Sequence, residues 1–241
     1  MEIILIELGQ VIKKGRMYYD FYTPNQPKMT DSIVKGFTQD KLENICLYIG
    51  TGKTAARNSY PDKGIRIIKV KNVTGSGINW EHHFYVTDEF YDDFKHKAKV
   101  QLGDILILCS AHNKSYIGRC DIIDSFPNEV IENDSKCCCV GELIIVRANP
   151  EKIISEYLIT FLRLPIVQEQ IKRMVKGQSA HLYSKDLKRL DIILPSKPLQ
   201  EEIAEINRVS QIDYTSRIKE AKLALNKARG QMSHLIMKGK N

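Results

Sequence analysis

Near the end of the chain, Ile218, Ala221, Leu225, Ala228, Met232 and Leu235 fall at spacings of 3, 4, 3, 4 and 3. Apolar and small residues in that rhythm form the seam of a helix that lies along another helix. Pro198 stands near the start of the segment, and Glu201 and Glu202 occupy its first turn, as the helix dipole favours. No proline follows them. Gly230 is a weak point inside, costing about 1 kcal/mol relative to alanine. Leu199, Ile203 and Ile206 make an upstream seam in a different register, and Asn207, Gln211 and Tyr214 keep the phase between the two. A helix of about 40 residues is about 60 Å long at 1.5 Å per residue. The rest of the chain has no helix of matching length to cover it. The seam therefore predicts a second copy as its partner. The competing expectation is a terminal helix folded back on its own domain.

The chain has 241 residues, 43% hydrophobic and 27% charged. That is room and composition for one globular domain plus an appended element, and it argues against extensive disorder. No run approaches the roughly 18 apolar residues of a membrane span. The opening MEIILIELGQVIKK is interrupted by Glu2 and Glu7 and lacks a basic leader and a small-residue cleavage site, so it does not read as a signal peptide. No membrane partner and a cytoplasmic location are expected. Six cysteines stand at 46, 109, 120, 137, 138 and 139, three of them adjacent and none in a C-x-x-C pair. They make a poor disulfide framework and a poor zinc site, and are expected as buried strand thiols.

The formal charge is +7, which suits a nucleic-acid partner without proving one. Residues 41–80 hold seven basic against two acidic residues, a surplus of five; residues 160–190 repeat those numbers. Between them, residues 81–135 hold five basic against eleven acidic, a deficit of six. Two basic blocks thus flank an acidic one.

Pro24, Pro27 and a polar run mark the first forty residues as an extended arm. LENICLYI then runs into Gly50-Thr51-Gly52, a turn signal. IRIIKVKNV (65–73) reads as a strand with Lys and Arg at its polar positions, closed by Gly75 and Gly77. Thr87 is positioned to cap a short helix reaching Lys95, with Asp88 and Glu89 in its first turn. ILILC after Gly103-Asp104, IGRCDII (117–123) and Cys137–Val146 read as buried strands. Ser155 is placed to cap SEYLITFLRL, IVQEQIKRMV makes a second short helix ended by Gly177, and LDIILP (190–195) is one more strand. The expected fold is α+β: a mixed-sheet or barrel-like domain with short helices, followed by the long helix. The expected boundaries are 1–40 for the arm, 41–196 for the domain and 197–241 for the helix.

Gly50-Thr51-Gly52-Lys53-Thr54 looks like the end of a phosphate-binding P-loop. The motif needs an earlier glycine where Leu47 stands, and Asn58, Pro61, Asp62 and Gly64 make turns where a helix should follow. The same residues make a basic loop suited to a DNA backbone. Glu220-Ala221-Lys222 matches a nuclease-like E-x-K, but on the heptad helix it reads as ordinary surface. No adenine-methyltransferase motif appears, and Trp80 reads as a packing residue. The chain is expected to be non-catalytic, with no metal and no cofactor. Two polar loops mix basic, amide and aromatic residues, Ser110–Tyr116 and Lys176–Tyr183. Such mixtures join phosphate contacts to base-edge contacts. Candidate DNA contacts are therefore Lys53, Thr54, Arg57, Lys69, Lys71 and Asn72 in the first basic block. His112, Asn113, Lys114, Tyr116 and Arg119 follow in the middle, and Gln178, Ser179, His181 and Tyr183 in the last loop.

Several of these elements together resemble the specificity subunits of type I restriction–modification systems. The arm Arg16-Met17-Tyr18-Tyr19-Asp20-Phe21-Tyr22-Thr23-Pro24 is similar to the family's opening segment. Lys41–Ile45 with Gly50-x-Gly52-x-Thr54 resembles its first strand and loop. Leu102–Leu106 with Ile117-Gly118-Arg119 resembles its central hairpin. Leu190–Pro195, then Pro198-Leu199-Gln200-x-x-Ile203, resembles the strand and proline–glutamine signature before the long helix. Full subunits of this family carry two recognition domains and two long helices; this chain holds one of each and resembles a half-length form. The resemblance implies double-stranded DNA as ligand and a second copy as partner, with the long helices antiparallel and a bipartite site of inverted half-sites. It also implies modification subunits that carry S-adenosylmethionine and methylate adenine, and a restriction subunit. A specificity component of another methyltransferase–nuclease system, a P-loop-like nucleotide-binding enzyme and a coiled-coil partner without a DNA role are the alternatives.

Overall fold

ILIL and LIIVRA are apolar at nearly every position, so neither strand can afford an open face. In the computed structural model, whose described residues are 37–56, 60–94, 98–177 and 180–238, the two runs become the paired central strands of one sheet. That antiparallel sheet joins β2 (Cys46–Thr51), β8 (Leu143–Ala148), β5 (Ile105–Leu108) and β6 (Cys120–Ile122) in that order. Alternate side chains enter two separate cores. Ile105, Ile107, Ile144 and Val146 meet the helices α3 (Ser155–Arg163) and α4 (Pro165–Arg173). Leu106, Leu108, Leu143 and Ile145 meet a second layer. Each such side chain, fully withdrawn from water, contributes about 1.5–3 kcal/mol.

The second layer is a three-stranded sheet in which β3 (Ile65–Ile68) lies between β4 (Tyr85–Val86) and β7 (Cys137–Cys139). The β3–β7 pair is parallel and the β3–β4 pair antiparallel. Helices α1 (Asp88–Asp92) and α2 (Asn128–Ile131) close this layer. A two-stranded sheet pairs β1 (Thr38–Lys41) with β9 (Asp191–Leu194), which follows α5 (Ser184–Leu187). The chain is thus α+β, with three open sheets among the described residues, short helices and a long carboxy-terminal helix.

Thr87 caps α1 as the sequence predicts, its Oγ1 accepting from Phe90 N–H at 3.3 Å, although the helix ends at Asp92 and Lys95 lies outside the described residues. Other boundaries differ, and the expected 117–123 strand shortens to Cys120–Ile122. Gly50 and Thr51 continue β2 rather than turning, because Ile145 and Ile144 of β8 stand opposite them. The 65–73 run stops at Ile68 and tightens into a 3-10 turn at Val70–Asn72. Cys137–Val146 breaks into β7 and β8, since the two halves serve different sheets. Ser155 is the first residue of α3 rather than its cap; the preceding Ile154 N–H donates to Gln200 Oε1 at 3.0 Å.

Helix α6 runs from Lys197 to Lys238, 42 residues, about 63 Å at 1.5 Å per residue. Its base is fastened to the domain. Gln200 is buried and also donates to Pro195 O at 2.9 Å, and Lys197 Nζ donates to Pro150 O at 2.7 Å. Leu199, Gln200, Ile203, Ala204, Asn207 and Gln211 are its inward positions, Ile203 packing against the domain core, and from Ile212 onward every described residue is exposed. The expectation of a helix folded back on its domain is therefore overturned. No helix among the described residues is long and apolar enough to cross a membrane.

Candidate nucleic-acid interface

Antiparallel pairing puts the end of β2, the start of β8, the end of β5 and the start of β6 at one end of the four-stranded sheet. The loops 52–56, 140–142 and 109–119 therefore gather there. Val140 N–H donates to Ile68 O at 3.0 Å, so the turn after β3 reaches the same end. The last polar loop is added by its own hydrogen bonds. Leu182 N–H donates to Cys109 O at 2.9 Å, and Ser110 and His181 form an antiparallel bridge. Helix α6 starts at the opposite end, beside Ile154 and Pro150 just beyond β8. The sheet thus separates a crown of loops from a rod.

A buried carboxylate organises the crown. Asp121, at the start of β6, accepts from Gly75 N–H and Gly77 N–H, each at 2.8 Å, and from Arg163 Nη2 at 2.5 Å. One side chain thereby fixes the loop Thr74–Gly77 to the sheet and to the end of α3. Gly75 has φ +91°, and a Cβ there would press on the Arg119 side chain at 3.2 Å. Arg119 in turn lies over the Tyr116 ring, its guanidinium carbon 4.1 Å from the centroid. Nothing in the local sequence beyond the two glycines pointed to Asp121, Arg163 or this loop as parts of the site, since their partners are remote in the chain.

The predicted contact residues divide by what their side chains already do. His112, Lys114 and Tyr116 are exposed on the crown, as are Lys71 and Tyr183. His181 stacks against Tyr183 with centroids 4.7 Å apart, and Lys185 Nζ stands 5.6 Å from the Tyr183 ring. Asn113 Oδ1 caps the turn Lys114–Tyr116, accepting from Ser115 N–H at 3.0 Å and Ser115 Oγ at 2.7 Å. Lys53 reaches Asp93 at 3.2 Å and lies over Phe90, so its charge is locally balanced. Thr54 Oγ1 accepts from Gly141 N–H at 2.9 Å and donates to Glu142 at 2.7 Å, holding the β7–β8 turn. Lys69 Nζ sits over the Tyr60 and Phe84 rings, 3.3 and 4.3 Å from their centroids, and burial lowers its pKa. Asn72 is fully buried: its amide donates to Asn79 O and His82 O and accepts from Lys69 N–H. It shapes the loop that follows β3 and has no exposed surface for a ligand. Arg57, Gln178 and Ser179 lie outside the described residues.

The P-loop resemblance finds no cradle. Gly52 N–H and Lys53 N–H, which would have to face a phosphate, donate to Leu143 O and Cys139 O. A Cβ at Gly52 would collide with that same Cys139 carbonyl, so the glycine serves a close backbone approach. Among the described residues, no group of three or more His, Cys, Asp or Glu is placed to hold a metal. Cys109, Cys120, Cys137, Cys138 and Cys139 are buried free thiols, and Cys46 is half-buried. Burial pushes Cys109, Cys120 and Cys138 up to about 12 and Cys137 and Cys139 well above their ordinary value.

A loop crown on one end of a sheet and a bare rod on the other make a globular domain carried on a helical stalk. Residues 35–226 match the model of the type I restriction modification DNA specificity domain, and the chain belongs to that family. Comparison with curated proteins gives no match. The HsdS subunit of Thermoanaerobacter tengcongensis has a similar fold, with a TM-score of 0.52 at 16% identity over 78% of this chain and 40% of that one. A chain from a structure of a type I R-M system, described for complex assembly and conformational transition, gives a TM-score of 0.54 at 13% identity. That match covers 94% of this chain and 49% of the other. The matched part of this chain thus spans less than half the length of either.

Proposed function

We propose that the loop crown reads duplex DNA and that α6 pairs with a second copy, so that two reading heads sit a fixed distance apart. The carrying observation is the Ser110–His181 bridge, which merges two polar loops into one surface at the end of the sheet remote from α6. Lys71, Lys114 and Lys185 supply positive charge, while His112, Tyr116, Arg119, His181 and Tyr183 supply donors and ring faces. Charges of this kind hold phosphates, and the other groups meet base edges. Arg57, Gln178 and Ser179 join this list on sequence grounds.

A two-fold pair of such heads reads two inverted half-sites across an unread spacer. The division into an arm (1–40), a reading domain (41–196) and a stalk (197–241) follows from that role. The pair recruits modification subunits that methylate adenine and a restriction subunit, working in the cytoplasm on genomic DNA. The chain itself contributes no chemistry. Methylome sequencing of cells with and without the gene tests the proposal. A bipartite, inverted adenine-methylation motif should vanish on deletion; an unchanged methylome rejects it.

A further inference from the structure

The crown is basic, yet most arginines of the domain are spent on structure. Arg66 is buried and paired with Glu129, Arg147 grips Asp104, Arg163 grips Asp121, and Arg173 meets Glu169. Arg189 stands in the turn entering β9, away from the crown. Arg119 differs from the four. No carboxylate among the described residues lies within ion-pair distance of it, and its guanidinium carbon stands over the Tyr116 ring, 4.1 Å from the centroid. Its backbone is fixed on both sides: Arg119 N–H donates to Tyr116 O at 3.0 Å, and Arg119 O accepts from Leu108 N–H at 2.9 Å. The loop pinned by Asp121 backs its side chain at Gly75.

A phosphate-binding side chain needs only charge and reach, and flexible lysines serve for that. A base-reading guanidinium must be pre-aimed, because its two parallel N–H donors match one base edge, the O6 and N7 of guanine in the major groove. The cation–π contact with Tyr116 and support from a clamped loop restrict the rotamers of Arg119, so little freedom remains to be lost on binding. The polar side chains beside it lack that preparation. Asn113 Oδ1 is engaged by Ser115, and Lys114 is exposed.

We infer that Arg119 is a specificity-determining residue that reads a guanine in each half-site. This rests on the DNA-reading role proposed above. The purified full chain would first select duplexes from a random-sequence library. On the selected duplex, replacing each guanine in turn by 7-deazaguanine, which lacks the N7 acceptor, should weaken binding about ten- to hundredfold at one position per half-site. Arg119→Lys, which keeps the charge, and Arg119→Ala should lose that sensitivity and accept other bases there, with selected duplex losing far more affinity than unselected duplex. If Arg119→Ala instead weakens selected and unselected duplexes alike and lowers the salt slope by about one, Arg119 is a phosphate contact and the assignment is overturned. DNA binding and its sequence preference would then survive as a role of the chain. If the parent chain selects no sequence, the DNA-reading role itself fails and takes this assignment with it.

Discussion

Ser110 and His181 face one another across a single antiparallel bridge, closed next door by Leu182 N–H on Cys109 O at 2.9 Å. The bridge makes one surface of two loops that the sequence keeps far apart. It also fixes them to the buried end of β5, so that whatever the crown touches is held by the core. Side-chain changes on this surface should therefore act on ligand binding with little effect on folding.

Lys114→Ala should weaken binding to any duplex about three- to tenfold and reduce the slope of log affinity against log salt by about one. Lys53→Ala should change the slope much less, because Asp93 already balances that charge at 3.2 Å. Fluorescence-anisotropy titrations across a salt series compare the two. An equal slope change for both would show that the Asp93 pair opens on DNA.

Asp121→Ala should destabilise the chain by about 3–5 kcal/mol, since it leaves the Arg163 guanidinium without its carboxylate, holding only Cys120 O, and two glycine N–H groups without their acceptor. Asp121→Asn keeps one acceptor oxygen and should cost less. Urea unfolding followed by circular dichroism measures both. A loss below about 1 kcal/mol for Asp121→Ala would mean that water replaces the carboxylate.

Burial pushes Cys46, Cys109, Cys120 and Cys138 up from 9.0 to about 12, and Tyr91 and Tyr157 up from 10.0 to about 12. A raised pKa means that the folded state holds its proton longer than the unfolded state. The stability tied to these groups is complete below about pH 9 and is lost as pH climbs towards 12, by up to about 1.4 kcal/mol per pH unit for each thiol. Urea midpoints measured at rising pH should fall steeply above pH 9. Ellman's reagent at pH 8, about a unit below the ordinary thiol value, should label the thiols fast only after unfolding; prompt native labelling of Cys109 or Cys138 would contradict the burial.

Leu225→Glu combined with Met232→Glu should weaken self-association by two orders of magnitude or more, from roughly 1.5–3 kcal/mol of apolar burial lost per side chain. The reading domain should melt unchanged, because in the single chain Leu225 is 50% and Met232 53% exposed. Sedimentation equilibrium and thermal unfolding give the two readouts. A pair of unaltered affinity would place the seam elsewhere on α6.

Patterns carried by neighbouring residues were readable in advance. The heptad spacing from Ile218 to Leu235 announced a long helix with an uncovered seam, and Thr87 announced the cap of α1. ILIL announced a buried strand because every position was apolar. These features rest on local geometry, where periodicity and capping chemistry leave few choices.

Where local chemistry is silent, only the assembled structure decided. Cys137–Val146 reads as one strand, yet the parallel pairing of β7 with β3 pulls its first half into another sheet. Asn72 looks like a candidate base reader, and the carbonyls of Asn79 and His82 bury it as scaffold instead. Asp121 and Arg163 meet only because β6 and α3 pack together. A residue's type says what bonds it can make; which partners stand within reach depends on chain segments distant in sequence, and tertiary packing alone brings them there.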